Sequence, residues 1–264
     1  MDFSPILYHG TAIENYFSRK SGCFTPINCV SASGLGVFLC FTNRCGSTLV
    51  AAEASALGYC GRPNTHLNYE FFNVDFVEEF CEAHSILTFQ DYFEAVYEEF
   101  RSPLGIFFTK GSLEQIIWLK RSGVIGVAIP DIRYLRVARK DLVAQAISFV
   151  IAEQTGQWTS KHTVTSDMLT YDHQKIANAI LNFAKISSDT DVYFSLIGTQ
   201  PACFVYENII GDINEVSRKL QALTGIEPLP RGPRTLDVQK QAQGVNLEWA
   251  QRFRGEALGR APWA

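Results

Sequence analysis

The chain has 264 residues, of which 47% are hydrophobic, and carries a net charge of −4 at pH 7. This length can bury one large α/β core. The acidic balance argues against a nucleic-acid-binding protein, which carries a dominant basic surface. No apolar run reaches the roughly 20 residues that span a bilayer, and the first five residues lack the basic and apolar regions of a secretion signal. We therefore expect a cytoplasmic protein with no membrane span.

The seven cysteines are odd in number and include no Cys-x-x-Cys pair. This usage is typical of reduced thiols in a cytoplasm and not of a disulfide framework. Cys81 and His84 have the spacing of half a metal site, but no matching second half follows in the sequence. The sequence therefore predicts no bound metal.

Residues 1–36 are predicted to form an irregular N-terminal extension of unknown role. From residue 37 onward, short apolar runs alternate with longer amphipathic ones, which is typical of an α/β sheet. Strands are predicted at 36–41, 105–110, 124–129, 134–138 and 202–206, and helices at 50–57, 85–101, 141–154, 171–185 and 213–224. The pattern predicts one domain over residues 1–264, in which helices flank a central, mostly parallel sheet.

The first predicted strand runs into a polar turn and then a helix. In this turn Gly46 lets an anion approach the backbone closely, Ser47 and Thr48 offer hydroxyl donors, and Arg44 offers a guanidinium fork. The first N–H groups of a helix have no intrahelical partner and carry partial positive charge. The turn therefore predicts a phosphate-binding site, with an ordinary capped strand-to-helix connection as the alternative.

The turn has no Lys where the nucleoside-triphosphate loop, G-x-x-x-x-G-K-[ST], requires one, which disfavours magnesium-dependent phosphoryl transfer. Residues 44–49, Arg-Cys-Gly-Ser-Thr-Leu, resemble the 5′-phosphosulfate loop of sulfotransferases, and more narrowly the Arg-Ser-Gly-Ser-Thr-Leu of the bacterial trehalose 2-sulfotransferase family. Cys45, also a predicted binding residue, keeps the size and the backbone donor of the family's Ser but weakens one side-chain hydrogen bond. The resemblance implies a P-loop-like three-layer fold and 3′-phosphoadenylyl sulfate (PAPS) as co-substrate, without a metal.

A second strand-to-helix segment resembles the family's motif for the 3′-phosphate of this donor. Arg139, at the end of the predicted strand, and Ser148, on the following helix, match the two residues that grip this phosphate. The continuation over residues 153–158, Glu-Gln-Thr-Gly-Gln-Trp, also matches the family closely. The alternative interpretation is an amphipathic helix with exposed basic residues.

Two further segments resemble the family in the same order along the chain. Lys110, at a predicted strand end, matches a Lys that would neutralise charge on the bridging oxygen of the donor. Lys240 and Gln241 match residues that cover the 3′ side of the nucleotide. The resemblance thus implies that the C-terminal segment, residues 228–264, closes over the nucleotide.

Sulfuryl transfer to an alcohol requires a base near the acceptor hydroxyl. Glu70 matches the family's proposed base, although several residues are inserted between Pro63 and Glu70 relative to the family pattern. His66 is the substitute candidate, because a His is a suitable base near neutral pH. Lys110 and Arg44 complete the predicted catalytic groups.

These observations predict a sulfotransferase that moves a sulfuryl group from PAPS to a hydroxyl of a carbohydrate, a glycolipid or a small natural product. The main alternative is a non-catalytic member of the same fold that binds a nucleotide or a glycan, and a less favoured one is a P-loop-type kinase. The resemblance is also in keeping with a homodimer. The acceptor itself does not follow from the sequence, because acceptor contacts come from variable loops.

Overall fold

The computed structural model describes residues 8–30, 34–61, 73–156, 158, 169–232 and 244–260. Within these residues one sheet is formed by the strands β1 (Leu35–Cys40), β2 (Ile106–Gly111), β3 (Ile132–Ala138) and β4 (Ala202–Val205). The strand order is β2-β1-β3-β4, and every neighbouring pair is parallel. The predicted α/β fold with a central parallel sheet is confirmed.

Helices connect the strands, as parallel pairing requires. In the described residues they are α1 (Tyr8–Ser21), α2 (Ser47–Ala56), α3 (Val74–His84), α4 (Phe89–Phe100), α5 (Leu113–Arg121), α6 (Leu142–Thr155), α7 (His173–Leu196), α8 (Tyr206–Gly211), α9 (Asn214–Thr224) and α10 (Gly244–Arg260). The helices predicted at 50–57, 141–154 and 213–224 correspond to α2, α6 and α9.

Both faces of the sheet are buried, since successive strand side chains point to opposite faces. In β1, Val37 and Leu39 belong to the apolar cluster that includes α2, α8 and α9. Phe38 and Cys40 belong to the opposite cluster, with α1, α3, α4 and α5. A third cluster joins α6, α7 and α10. This double burial explains why the strands have nearly continuous apolar sequences.

The prediction that the N-terminal extension is irregular is wrong for its described part, because α1 lies there. The helix buries an apolar stripe with i, i+3, i+4 spacing, formed by Ile13, Tyr16 and Phe17. Trp118 of α5 donates its Nε1–H to Glu14 at 2.8 Å. Thus α1 contributes to the core that covers one face of the sheet.

The strand predicted at residues 124–129 is also wrong. The segment forms buried turns after α5, with an isolated bridge between Ile125 and Ile129. Its backbone groups bond locally, since the Ile129 N–H donates to the Val124 carbonyl at 3.1 Å. Its apolar composition arises from burial. Because buried turns and central strands are both buried, composition alone does not distinguish them.

Two predicted helix bounds change. The helix predicted at 85–101 begins at Phe89, because the Thr88 side chain accepts a hydrogen bond from the Asp91 N–H and caps it. Ser85 instead ends α3 in the left-handed conformation, with φ 56°. The helix predicted at 171–185 continues to Leu196.

Candidate active site

The carboxyl ends of the four strands meet at one edge of the sheet, which is where open α/β sheets bind ligands. β1 leads into the turn before α2, and Lys110 is the second-last residue of β2. Arg139 follows β3, and Tyr206 follows β4. The fold therefore brings together residues that are widely separated in the sequence.

The turn between β1 and α2 depends on glycine at position 46. Gly46 adopts φ 96°, a left-handed conformation that disfavours other residues, and a Cβ built there would lie 2.3 Å from Cδ2 of Tyr206. No side chain caps the start of α2 at Gly46. Because first-turn N–H groups have no intrahelical acceptor, this helix start suits an anionic ligand.

A buried amide fixes the same turn from α6. Gln145 is 1% exposed, and its Nε2 donates to Thr42 Oγ1 at 3.0 Å and to the Asn43 carbonyl at 2.8 Å. A buried amide with its hydrogen bonds satisfied holds its partners in one arrangement. The turn between β1 and α2 is therefore attached to the helix that follows β3.

Arg44 connects the two predicted phosphate sites. Its Nε donates to Ser148 Oγ at 2.8 Å, and its Nη1 donates to the Trp158 carbonyl at 2.9 Å. Arg139 in turn donates from Nη1 to the Arg44 carbonyl at 3.1 Å. The sequence placed Arg139 and Ser148 together, whereas the side chain that reaches Ser148 is Arg44.

The two guanidinium groups lie close together and are partly buried. Burial, and next the charge of Arg139, lower the pKa of Arg44 from its ordinary value. Nε of Arg139 is buried without a hydrogen-bond partner among the described residues, and Glu207 Oε1 lies 3.9 Å away. Two partly desolvated cations, of which Arg139 keeps this unused donor, fit a dianionic phosphate.

The side chain of Lys110 extends from β2 to the start of α2. It is 2% exposed, its Nζ donates to Thr48 Oγ1 at 3.2 Å, and the ammonium lies 5.2 Å from the centre of the Phe41 ring. A cation near the positive end of a helix is unfavourable by itself. A bound anion would offset that repulsion, so the ammonium can stabilise negative charge that develops beside Thr48.

Cys45 and Ser47 line the inside of the loop. Cys45 is fully buried, and its burial raises the pKa of the thiol. A buried neutral thiol acts as a small apolar side chain and not as a nucleophile. Ser47 is also buried, at 6% exposure.

Sequence reasoning missed Tyr206 and Glu207, which follow β4. The Tyr206 ring lies under the Arg139 guanidinium, with Cζ 4.8 Å from the ring centre, and also contacts the Gly46 backbone region. The sequence did offer a signal for them, because residues that follow a parallel strand lie beside residues that follow the neighbouring strand of the sheet, here β4 beside β3.

The remaining predicted site residues lie outside the described part of the chain. These are Glu70, His66, Lys240 and Gln241, whose roles stay predictions. Among the described residues, no group of three or more His, Cys, Asp or Glu side chains is placed to hold a metal ion. No helix found there is long and apolar enough to cross a membrane.

A parallel sheet whose first strand runs through a glycine turn into a helix at its carboxyl edge is typical of the P-loop-like α/β class. Within that class, the family model for Stf0 sulphotransferase matches residues 37–256, and the chain belongs to this family. This confirms the resemblance to trehalose 2-sulfotransferases and supports a transferase that moves a sulfuryl group. A search of curated proteins found no match.

Proposed function

We propose that this protein transfers a sulfuryl group from PAPS to a hydroxyl of a carbohydrate or glycolipid. The observation that carries the proposal is the connection between the residues of the two proposed anion sites, through Arg44 Nε on Ser148 Oγ and Arg139 Nη1 on the Arg44 carbonyl. A donor with phosphates on both its 5′ and 3′ sides needs two such sites at a fixed separation. A donor with a single phosphate group would not.

The residues divide between the two phosphates by position. Gly46, Ser47 and Thr48 start α2 and would hold the 5′-phosphosulfate through N–H and hydroxyl donors. Arg139 and Ser148 would hold the 3′-phosphate, and Arg44 lies between the two groups. Lys240 and Gln241 would cover the 3′ side, as the family resemblance implies.

The chemistry assigns one task to each charged residue. The donor supplies an activated sulfuryl group, whose bond to the bridging phosphate oxygen breaks as the acceptor oxygen bonds to sulfur. Glu70, or His66 in its place, would take the proton of the acceptor hydroxyl. Lys110 would stabilise the negative charge on the departing oxygen, because its buried ammonium already contacts the Thr48 hydroxyl.

A carbohydrate acceptor is supported by an aromatic ring beside the site. The Trp158 side chain is 47% exposed, although its carbonyl accepts a hydrogen bond from Arg44. Its ring packs edge-to-face on Phe149 of α6, with centroids 5.7 Å apart. A fixed, half-exposed indole offers an apolar face to a sugar ring and keeps a polar edge in water.

Calorimetric titration of adenosine 3′,5′-bisphosphate and of ATP, each with and without EDTA, tests the donor class. We expect tight binding of the bisphosphate that EDTA does not change, and little binding of ATP. Preference for ATP with magnesium would favour the P-loop-type kinase and would exclude PAPS as the donor.

A non-catalytic nucleotide-binding or glycan-binding protein is the second candidate, because Cys45 replaces the family's Ser and residues are inserted before Glu70. Transfer of labelled sulfate from PAPS to a panel of glycan acceptors separates the two. Turnover that Glu70→Gln abolishes, with bisphosphate binding kept, supports catalysis by this base. Bisphosphate binding without turnover on any acceptor would favour the second candidate.

A further inference from the structure

Glu207 fixes the segment that joins β3 to α6. The residue lies in the first turn of α8, directly after β4. Its Oε2 accepts the N–H of Lys140 at 3.0 Å, and its Oε1 accepts the N–H of Asp141 at 3.2 Å. Hydrogen bonds from backbone N–H groups to a carboxylate are charge-assisted and strong. The conformation of the residues around Arg139 is therefore set from a different strand.

The same carboxylate helps to hold the Arg139 guanidinium. Glu207 Oε1 lies 3.9 Å from Nε, the Tyr206 ring lies under the guanidinium plane, and Nη1 donates to the Arg44 carbonyl. Among the described residues, Nη1 makes the one hydrogen bond, Nε is held only at ion-pair distance, one face of the group meets the Tyr206 ring, and no contact uses Nη2. Arg139 is thus fixed in orientation while part of its donor set stays available to a ligand.

The geometry separates a positioning carboxylate from a competing one. A carboxylate that occupied the place of the phosphate would accept hydrogen bonds from the guanidinium itself. The Glu207 oxygens instead accept two backbone N–H groups and stay at ion-pair distance from Nε. We infer that Glu207 is a positioning residue that gives the site its selectivity for a nucleotide with a 3′-phosphate.

The inference rests on the proposed function, and selectivity is the quantity that tests it. The dissociation constants of adenosine 3′,5′-bisphosphate and of 5′-AMP are measured by calorimetry for the full chain and three variants. In Glu207→Ala we expect the bisphosphate to bind about tenfold more weakly, as for a lost charge-assisted interaction, with 5′-AMP almost unchanged. Glu207→Gln keeps one acceptor oxygen and should show an intermediate loss.

Glu215→Gln serves as the matched control. It also removes one carboxylate charge, but Glu215 pairs with Lys219 at 2.6 Å on α9, away from the β3–α6 junction. Its bisphosphate-to-AMP ratio should equal that of the unmodified chain. A thermal unfolding midpoint for each variant separates loss of folding from loss of selectivity.

Four outcomes would overturn the inference. If both nucleotides weaken equally in Glu207→Ala, the residue is only structural, and if the bisphosphate binds more tightly, the carboxylate competes with phosphate. An unchanged ratio in a chain that itself prefers the bisphosphate rejects the inference and leaves the proposed function standing. A chain that binds no bisphosphate at all rejects both.

Discussion

The Arg44 guanidinium contacts the Ser148 hydroxyl across 104 residues of sequence, with Nε 2.8 Å from Oγ. This contact joins the loop after β1 to the helix after β3. Because β1 and β3 are neighbours in the sheet, the segments that follow them lie side by side. The long Arg44 side chain can therefore reach from one segment to the other. In the proposed function, this contact makes Arg44 part of both phosphate sites, and not of the 5′ site alone.

Replacing Arg44 should therefore weaken the whole bisphosphate. Arg44→Ala removes the donors to Ser148 and Trp158 together with a cation, and we expect a loss of about 2–3 kcal/mol, or roughly 30- to 150-fold in affinity. Arg44→Lys should recover only part, because an ammonium cannot contact both partners in one plane. Calorimetric titration measures the loss.

Arg218→Ala is the control for this prediction. Arg218 pairs with Asp212 at 2.8 Å on the surface and is 63% exposed. Its removal changes the net charge equally, so its affinity for the bisphosphate should stay within about twofold, as for an exposed pair. Equal losses in the two variants would mean that Arg44 acts only through net charge.

Lys110 should affect the rate of transfer more than donor binding. Lys110→Met keeps the length of the side chain but removes the ammonium beside Thr48, and we expect kcat to fall about 10²- to 10³-fold. The exposed Lys120 of α5, changed to Met, provides the control. Steady-state kinetics with PAPS measure kcat, and calorimetry measures bisphosphate binding. If the variant loses bisphosphate binding but keeps kcat, Lys110 contributes to donor binding and not to the transition state of transfer.

The sequence predicted the elements of this site that depend on local patterns. The strand, turn and helix around Gly46 are contiguous, and so are Arg139 and α6. Contacts between elements could not be predicted in the same way. The partner of Ser148 depends on the order of the strands in the sheet, and it is the pairing of β1 with β3 that brings Arg44 to Ser148. Burial also misled the prediction at residues 124–129, where an apolar turn has the composition of a strand. The short apolar stripe of α1 carried a helical signal that the Gly and Thr residues around it weakened.

Gly46 should tolerate no side chain. Gly46→Ala combines a left-handed φ of 96° with a Cβ 2.3 Å from Tyr206, whose ring is also held against Arg139. We expect a loss of about 2–4 kcal/mol in the free energy of unfolding, from backbone strain and overpacking together. Gly105→Ala has a similar φ of 74° but meets nothing within 4 Å, and should lose only about 1 kcal/mol. Denaturant unfolding compares them, and equal losses would show that the Tyr206 contact yields without cost.

Trp158 should act on the acceptor and not on the donor. Trp158→Ala removes the half-exposed indole but keeps the carbonyl that Arg44 contacts, so bisphosphate affinity should not change. If a sugar packs on the ring, KM for the acceptor should rise about tenfold, as for the loss of one aromatic contact. As the control, Leu196→Ala removes a more exposed apolar side chain (68%) at the end of α7 and should change neither constant. A fall in bisphosphate affinity alone would place Trp158 at the nucleotide.

The buried thiols near the phosphate loop should be inert at neutral pH. Burial raises the pKa of Cys40 to about 12 and that of Cys45 above its ordinary value. Since an unfolded thiol ionises near pH 8.5, the stability that these neutral thiols contribute is complete below that pH. This stability is lost as the pH rises toward the native pKa values.

Alkylation at pH 8 followed by mass spectrometry tests the burial of these thiols. It should label the exposed Cys23 and Cys29 rapidly, and Cys45 only when the loop opens. Bisphosphate should slow the labelling of Cys45 further, whereas rapid labelling of Cys45 in the folded protein would contradict its burial.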